Sequence, residues 1–336
     1  MTAPLSTDDD RDVDRRPPGG DGTVMLATAK GQRGDRIFGG VALLAGLLVL
    51  AVLLLIAVST TREAWPAFEE EGLGFITSDV WNPAAGDFGA LAFIYGTVLV
   101  SLIALVLAVP VSLGIALFTN EAAPRWLRKP IVYVIDLLAA IPSVVYGLWG
   151  ILVLATLLDE RVYDPINSVV GGWPVLGWFF GGTTSPRSFM TAGIILAVMI
   201  TPIITSLSRE VIATVPAAQR EAAYGMGATR WEMIRASVLP WSRGGIVGSV
   251  MLGLGRAMGE TIAVALVIGS FPQITTKLFE QGDAMAAVIA NQFGESSGTH
   301  RAALIGLGVV LFVVTIIVNV SARTIVGHFD RRAKGA

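Results

Sequence analysis

The amino-acid sequence predicts an all-α membrane protein with six transmembrane helices. The chain has 336 residues, of which 53% are hydrophobic and 15% are charged, whereas ordinary soluble domains carry about 25% charged residues. Six apolar runs are each long enough to cross a bilayer core, which takes ~20 residues, and helices satisfy every backbone polar group inside lipid. These runs span 37–59, 90–119, 131–157, 189–213, 244–270 and 302–326.

The composition and the motif content exclude several classes of function. The net charge of −2 argues against a nucleic-acid-binding protein. There is no cysteine, so disulfides and thiolate metal sites are excluded, and His300 and His328 are too far apart in sequence to form a zinc motif. The phosphate-binding pattern G-x-x-x-x-G-K-[ST] does not occur. The sequence therefore predicts no catalytic residue, no metal site and no cofactor in this chain.

The polar segments predict the domain organisation and the orientation in the membrane. Residues 1–36 are acidic and rich in proline and glycine, which is typical of a disordered tail. Residues 37–326 are predicted to form the transmembrane domain, and 327–336 a short C-terminal tail. Lys and Arg are concentrated in the two tails and in the loops 120–130 and 214–243. The positive-inside rule therefore places both termini and loop 214–243 in the cytoplasm.

Loop 214–243 is a polar island between two apolar runs, and its sequence predicts two short helices. Pro216 suits a first helical turn, and Gly225 and Gly227 can end the helix that follows. Thr229 and Glu232 have the spacing of a capping box, which predicts a second helix start. That second helix is predicted to share one face among Trp231, Ile234 and Val238 and to stop at Pro240. An amphipathic loop on the lipid surface is the alternative interpretation.

The fifth apolar run carries two ionisable residues at membrane depth. Arg256 lies about 18 Å along the predicted helix from Gly244, near the middle of the bilayer, and Glu260 follows one turn later on the same face. Two interpretations stay open. One is a structural Arg–Glu pair that joins helices, and the other is a path for a multiply charged anion, whose oxygens a guanidinium fits. Gly255 and Gly259 form a G-x-x-x-G pattern, which permits close helix approach and also leaves room beside Arg256.

Three further residues stand out inside the apolar runs. Asp136 is a second intramembrane charge, for which a structural partner, a capping role or Arg256 are all open. Pro142 and Pro202 are expected to break the third and fourth runs.

Loop 214–243 also carries a recognisable combination of residues. Its pattern resembles the EAA loop of ABC-importer permeases, in which this loop is the coupling helix that docks into a cytoplasmic ATPase. One position departs from the family, since Ser237 stands where an isoleucine is usual. The residues that carry the resemblance are Glu221, Ala222, Ala223, Gly227, Leu239 and Pro240.

Three longer stretches narrow the resemblance. FGALAFIYGTVLVS (88–101), DLLAAIPSVVYGLWG (136–150) and GRAMGETIAVALVIG (255–269) are similar to the PstC-type permease subunits of high-affinity phosphate ABC importers. The similarity covers roughly residues 35–330, and it implies the type I importer permease fold in a bacterial plasma membrane. It also implies an A-type permease partner, two ATPase subunits that bind ATP and magnesium, and an extracytoplasmic phosphate-binding protein. Within this framework the intramembrane charges Arg256 and Glu260 are the candidate substrate path, and Asp136 is a further candidate.

Rival functions remain open on the sequence alone. An importer of another oxyanion, such as sulfate or molybdate, would belong to the same class. A secondary anion transporter or channel belongs to another class, and the EAA loop argues against it because such a protein needs no ATPase dock. A sensor or scaffold role in phosphate signalling is a possible additional function.

Overall fold

The computed structural model describes residues 30–334 and the surroundings of the side chains of residues 34–324. Most of the predicted disordered tail, 1–36, therefore lies outside the described residues, and its described part, 30–36, is helical, so the predicted disorder of that part is wrong. The chain divides into two compact units, 1–56 and 57–336. In the first unit, the described residues belong to one long helix whose apolar side chains are exposed.

Helices make up most of the described chain, and one small hairpin interrupts them. The helices before residue 185 are α1 (Lys30–Glu71), α2 (Gly74–Thr77), α3 (Leu91–Leu117), α4 (Arg125–Ala140), α5 (Ser143–Trp149), α6 (Ala155–Leu158), α7 (Asp164–Val170) and α8 (Gly177–Phe180). The later helices are α9 (Phe189–Ala213), α10 (Ala217–Gly225), α11 (Arg230–Met233), α12 (Leu239–Met258), α13 (Ile262–Val267), α14 (Met285–Gln292) and α15 (Gly298–Lys334). The hairpin pairs β1 (Trp81–Asn82) with β2 (Asp87–Phe88) in antiparallel fashion.

Wider and tighter helical turns join several of these helices. The π-helical turns are Phe118–Ala122, Gly150–Leu154, Asp159–Tyr163 and Ile234–Val238, and a 3₁₀ turn spans Phe293–Glu295. The first continues α3, the next two join α5, α6 and α7 into one run, and the fourth joins α11 to α12.

Five helices of the described chain are long and apolar enough to cross a membrane. They are Gly34–Glu71, Leu91–Ala122, Ser143–Val170, Phe189–Ala213 and Gly298–Thr324. The predicted runs 37–59, 90–119, 189–213 and 302–326 overlap four of these spans, although the first span continues twelve residues beyond the predicted end, to Glu71. The third run contributes the span Ser143–Val170, and the predicted count of six is not confirmed because the run 244–270 is divided between α12 and α13.

Proline accounts for the interruption of the third run. Ile141 and Pro142 both have extended backbone conformations, so α4 ends at Ala140 and the membrane-length helix begins at Ser143. Proline lacks the N–H that a helix needs and disfavours helical geometry in the residue before it. The predicted break at Pro142 is therefore confirmed, whereas the predicted boundaries 131–157 are wrong.

Pro202 behaves differently, and the predicted break there is wrong. Helix α9 continues through Pro202 from Phe189 to Ala213. A proline inside a helix costs about 3 kcal/mol, and the packing of this helix offsets that cost. Ile200 and Ile204 are fully buried on either side of the proline, and each buried side chain of this size contributes about 1.5–3 kcal/mol.

Helix α9 lies at the centre of the second unit. In the most apolar part of α9, 61% of the residues are buried. The corresponding share for α3, the next most buried of the five spans, is 33%. Hydroxyl groups join α9 to its neighbours, since Ser112 Oγ on α3 donates to the Thr201 carbonyl (3.2 Å) and Ser208 Oγ lies 2.7 Å from Ser249 Oγ on α12. Such bonds between helices stabilise membrane bundles by about 0.6–2 kcal/mol each.

The segment between α13 and α14 folds back onto α3. The Phe271 amide donates to the Gly282 carbonyl, and the Gly282 amide donates to the Ile268 carbonyl. A Cβ on Gly96 would overlap the Asp283 carbonyl oxygen, so only glycine lets α3 approach this segment so closely. This contact buries Asp283, which is 3% exposed.

Asp283 predicts a pH dependence of stability. Burial raises its pKa from 3.8 to about 7, although the Ala284 amide donates to its Oδ1 at 2.8 Å. The folded chain then binds more protons than the unfolded chain between these two pH values, so stability falls as pH rises from about 4 to about 7. The total loss is on the order of 4 kcal/mol.

The matched variant is Asp283→Asn, which keeps the acceptor for the Ala284 amide but cannot ionise. Thermal unfolding of the assembled protein between pH 4 and pH 9 should show a smaller pH dependence in the variant, together with a higher midpoint at pH 8. Parallel curves for the two proteins would contradict the assignment.

Candidate functional site

The structure separates Arg256 from Glu260, so the prediction that they share one helix face is wrong. Helix α12 ends at Met258, and Gly259 leaves the helical conformation. Glu260 is consequently buried in the protein interior, at 9% exposure, whereas the side chain of Arg256 lies on an exposed face of α12. The structure records no ion pair between these two described residues.

Glu260 lies in the interior near the start of α13. Its Oε1 accepts a long hydrogen bond from the Ala263 amide, at 3.4 Å. A small cavity of about 10 Å³ beside it is lined by Thr97 and Ser101 of α3 and by Ala284, which leaves room for about one water molecule. Glu260 is thus placed to stabilise the break between α12 and α13, and not to neutralise Arg256.

Arg256 lines a cleft of about 580 Å³ between α12 and α15. Arg256 and Arg323 are the two charged side chains that line it, and neither has a hydrogen bond or ion pair recorded among the described residues. The other lining residues are Met251, Leu252, Gly255, Phe312, Thr315, Ile316, Asn319 and Val320. A cleft with two guanidinium groups and no carboxylate on its described walls attracts anions.

The G-x-x-x-G pattern does not bring helices together. A Cβ on Gly255 would meet no atom within 4 Å, and Gly259 is the cap of α12, so the predicted close approach at these residues is wrong. The room that the pattern is also expected to leave beside Arg256 is present, because Gly255 lines the same cleft. The close approaches of α12 occur at Gly245 and Gly253, where a Cβ would overlap Val211 and Ile204 of α9.

Asp136 lies on α4, on the other side of the break at Pro142. It is exposed, it does not line the Arg256 cleft, and α4 is not among the five spans. The prediction of an intramembrane charge at Asp136 is therefore not confirmed, because the proline break moves the start of the third span beyond it.

Loop 214–243 has the local structure that its sequence predicts. Helix α10 begins after Pro216, and Gly227 has a left-handed φ of 84°. Both capping-box bonds are present, since the Thr229 side chain accepts from the Glu232 amide and the Glu232 carboxylate accepts from the Thr229 amide. The Glu232 carboxylate also accepts from the Thr229 hydroxyl at 2.8 Å, and its bonds from the Thr229 amide and hydroxyl together lower the pKa of Glu232.

Two details of the second helix differ from the prediction. Trp231 is 62% exposed, while Ile234 and Val238 are buried together with Met233. Pro240 does not stop the helix, since it lies in the first turn of α12, directly after the π-helical turn Ile234–Val238, and the helical conformation continues past it.

The residues of the EAA pattern divide into an exposed and a buried set. Ala223 is 4% exposed and packs with Ile212 and Val215, and Leu239 is half-buried. Ser237, the departure from the family pattern, donates to the Gln219 carbonyl at 3.4 Å. The exposed members are Glu221, Ala222, Gly227 and Pro240.

Arg220 anchors α10 to the rest of the protein, and the sequence does not predict this. Its guanidinium donates to Glu121 Oε1 at 2.9 and 3.2 Å, to the Val215 carbonyl at 2.6 Å and to the Ile212 carbonyl at 3.0 Å. Glu121 follows α3 and its side chain is 8% exposed. Helix α10 is therefore tied to the ends of both α3 and α9.

Arg220→Gln should destabilise the protein by about 2 kcal/mol, because it leaves a mostly buried carboxylate without its partner. Limited proteolysis of loop 214–243 and thermal unfolding measure this. The matched control is Arg230→Gln, since Arg230 is exposed on the neighbouring helix. Equal stability and equal proteolysis of the two variants would show that the Arg220–Glu121 contact does not hold α10.

The chain matches a described protein family and several curated relatives. Residues 108–335 match the family described as "Binding-protein-dependent transport system inner membrane component". The "Phosphate transport system permease protein PstC" of Mesorhizobium japonicum is 45% identical over 299 residues, covering 89% of this chain and 91% of the relative. The protein of that name from Xylella fastidiosa is also 45% identical, over 84% and 88% of the two chains. PstC 2 of Mycobacterium tuberculosis is 41% identical over 90% and 95%.

A solved structure supports the same fold. A chain in the crystal structure of a bacterial alginate ABC transporter, in complex with its alginate pentasaccharide-bound periplasmic protein, aligns with a TM-score of 0.55. The alignment covers 89% of this chain and 97% of that chain at 20% identity, so it carries the fold alone. The predicted all-α permease fold is confirmed, and so is the expectation of a transport component that is not an enzyme. The chain belongs to the family of binding-protein-dependent transport system inner membrane components, as a homologue of the phosphate transport system permease proteins.

Proposed function

We propose that this chain is a permease subunit of an ATP-driven importer of inorganic phosphate and that the anion passes Arg256. The observation that carries the proposal is the exposed guanidinium of Arg256 in a cleft without a carboxylate on its described walls. A guanidinium offers fixed donors that match phosphate oxygens. The names of the relatives, which are 41–45% identical, favour phosphate over sulfate or molybdate.

The partners follow from the family and from the exposed coupling segment. A permease of this family works with ATPase subunits and a binding protein. We infer more specifically an A-type permease as the second half of the path, two ATPase subunits that bind ATP and magnesium, and an extracytoplasmic phosphate-binding protein. Around Glu221, the exposed side chains of Tyr224, Met226 and Trp231 offer an apolar surface for the ATPase.

The proposed orientation places α10 and both termini in the cytoplasm of a bacterial cell. It rests on the distribution of Lys and Arg in the loops. Because the chain has no cysteine, single cysteines report the orientation cleanly. A membrane-impermeant thiol reagent should label Glu70→Cys or Pro165→Cys in intact cells and should not label Arg230→Cys. Labelling of Arg230→Cys alone would reverse the orientation.

Substrate choice is tested by competition. The assembled complex is reconstituted in vesicles with its binding protein, and uptake of labelled phosphate is measured with a tenfold excess of unlabelled phosphate, sulfate or molybdate. We expect only unlabelled phosphate to suppress uptake. Suppression by sulfate or molybdate, with little effect of phosphate, would assign the chain to another oxyanion.

A further inference from the structure

We propose that Arg323, with Asn319, forms a second anion-binding position in the α12–α15 cleft, on the cytoplasmic side of Arg256. The inference rests on the proposed function, which it deepens by adding a site for the leaving anion. Its ligand is an oxyanion of the phosphate type. The first observation is that Arg323 and Arg256 line the same cleft from two different helices.

The polar residues of α15 form one line along the cleft. Thr315, Asn319 and Arg323 are spaced four residues apart and all three line the cleft, as side chains at i and i+4 share a helix face. At a rise of 1.5 Å per residue, the line is about 12 Å long. The cleft therefore has a polar stripe on α15, and its positive end is Arg323.

Helix direction places Arg323 after Arg256 on the inward route. Under the proposed orientation, α12 runs outward from Leu239, and Arg256 lies in its last turn. Helix α15 runs inward from Gly298, and Arg323 lies one turn beyond Asn319 along it. An anion that leaves Arg256 toward the cytoplasm would then meet Arg323 in the same cleft.

Asn319 and Arg323 keep hydrogen-bond donors that no described residue uses. Thr315 Oγ1 donates to the Leu311 carbonyl at 2.7 Å, and Asn319 Nδ2 donates to the Thr315 carbonyl at 3.0 Å. The second N–H of the Asn319 amide is therefore available. No hydrogen bond or ion pair of the Arg323 guanidinium is recorded among the described residues. Two like charges on one cleft with no described counter-charge favour the presence of an anion.

Two sources could supply a phosphate-type oxyanion at Arg323. One is the transported anion, and the other is the headgroup of an anionic lipid, which Lys and Arg near membrane ends also attract. The stripe of Thr315 and Asn319 favours the transported anion, because it continues from Arg323 into the span and lines the cleft that holds Arg256.

The test measures the charge preference of the cleft directly. Val320→Cys introduces the chain's single cysteine, and Ile316→Cys is the alternative position, because both residues line the cleft and neither belongs to the proposed anion site. In the assembled complex in zwitterionic lipid, with and without trapped nucleotide, the labelling rates of a sulfonate-bearing and an ammonium-bearing methanethiosulfonate are compared. We expect the sulfonate reagent to react at least about fivefold faster, relative to the rates of both reagents with a free thiol.

Matched variants assign the preference to Arg323. Adding Arg323→Gln should bring the ratio of the sulfonate labelling rate to the ammonium labelling rate close to that of a free thiol. Arg125 is an exposed arginine of α4 outside the cleft, and Arg125→Gln should leave this ratio unchanged. Millimolar phosphate should slow labelling by the sulfonate reagent at least about threefold more than chloride at equal ionic strength. In the cysteine-free complex, Arg323→Gln should lower the maximal uptake rate at least about fivefold and leave the half-saturating phosphate concentration within about twofold.

Each other outcome overturns the proposal. If Arg323→Gln does not change the ratio of the two labelling rates, Arg323 forms no anion site. The same conclusion holds if neither reagent labels either cysteine position. Protection by phosphatidylglycerol in the vesicles but not by phosphate replaces it with a lipid contact. If the unmodified complex imports phosphate and the ratio is that of a free thiol, the second site alone has failed. If phosphate is not imported and the Arg323-dependent ratio persists, the proposed function has failed.

Discussion

Arg256→Gln is expected to reduce phosphate uptake about 10- to 100-fold, which corresponds to the loss of about 1.5–3 kcal/mol from a charge-assisted hydrogen bond. Arg256 is exposed to the cleft and has no recorded partner among the described residues, so its replacement leaves no buried counter-charge behind. Assembly of the complex should therefore be nearly unchanged. Arg256→Lys keeps the charge but loses the planar fork, and it should retain intermediate activity.

The alternative for Arg256 is a structural pair with Glu260. A pair would make each single substitution destabilising and would let Arg256→Met with Glu260→Met restore both folding and transport. The separation of the two side chains predicts the opposite, namely that the double variant remains inactive. Uptake and assembly are measured in the two single variants and in the double variant. A transport-competent double methionine variant would contradict the path through Arg256.

Gly227→Val is expected to abolish coupled uptake while the membrane helices still fold and insert. Gly227 has a φ of 84°, and a Cβ there would meet no atom within 4 Å, so the cost lies in the backbone conformation alone. A β-branched residue is a severe outlier at such an angle, and forcing it there costs about 1–3 kcal/mol. The turn between α10 and α11 would reorganise. Gly227→Asn is the matched control, because asparagine tolerates this conformation best among the other residues.

Glu221→Lys tests the same surface without backbone strain. Glu221 is exposed on α10, so the reversal of its charge acts on the docked partner and not on the fold. ATP hydrolysis by the assembled complex is measured after addition of phosphate-loaded binding protein. We expect both Gly227→Val and Glu221→Lys to lose this stimulation. Undiminished stimulation and uptake in both variants would show that loop 214–243 is not the coupling element.

Local signals in the sequence predicted local structure well. The capping box at Thr229 and Glu232 and the glycine turn at Gly227 involve residues close in sequence, and all appear in the structure. Pro142 and Pro202 show the limit of such signals. Both are prolines in apolar runs, yet only Pro142 ends a helix, because the extensive burial of α9 outweighs the cost at Pro202.

The candidate site was predicted only in part. Arg256 and Glu260 are predicted as two charges at membrane depth on one helix face, but their separation depends on a helix end at Met258 and Gly259, which the apolar run conceals. The Arg220–Glu121 contact joins residues 99 positions apart, and the Arg323 cleft requires α12 and α15 to be neighbours. Without the packing of the helices, no periodicity in the sequence predicts either contact.

The most direct test of phosphate import driven by partner ATPases is accumulation of labelled phosphate in vesicles of the reconstituted complex. Binding protein is supplied on one side and ATP with magnesium on the other, the side that carries α10. The proposed function predicts accumulation against the phosphate gradient only with ATP on the α10 side, and no accumulation driven by a proton or sodium gradient without ATP. Accumulation that follows an ion gradient and ignores ATP would contradict it and would assign the chain to secondary transport.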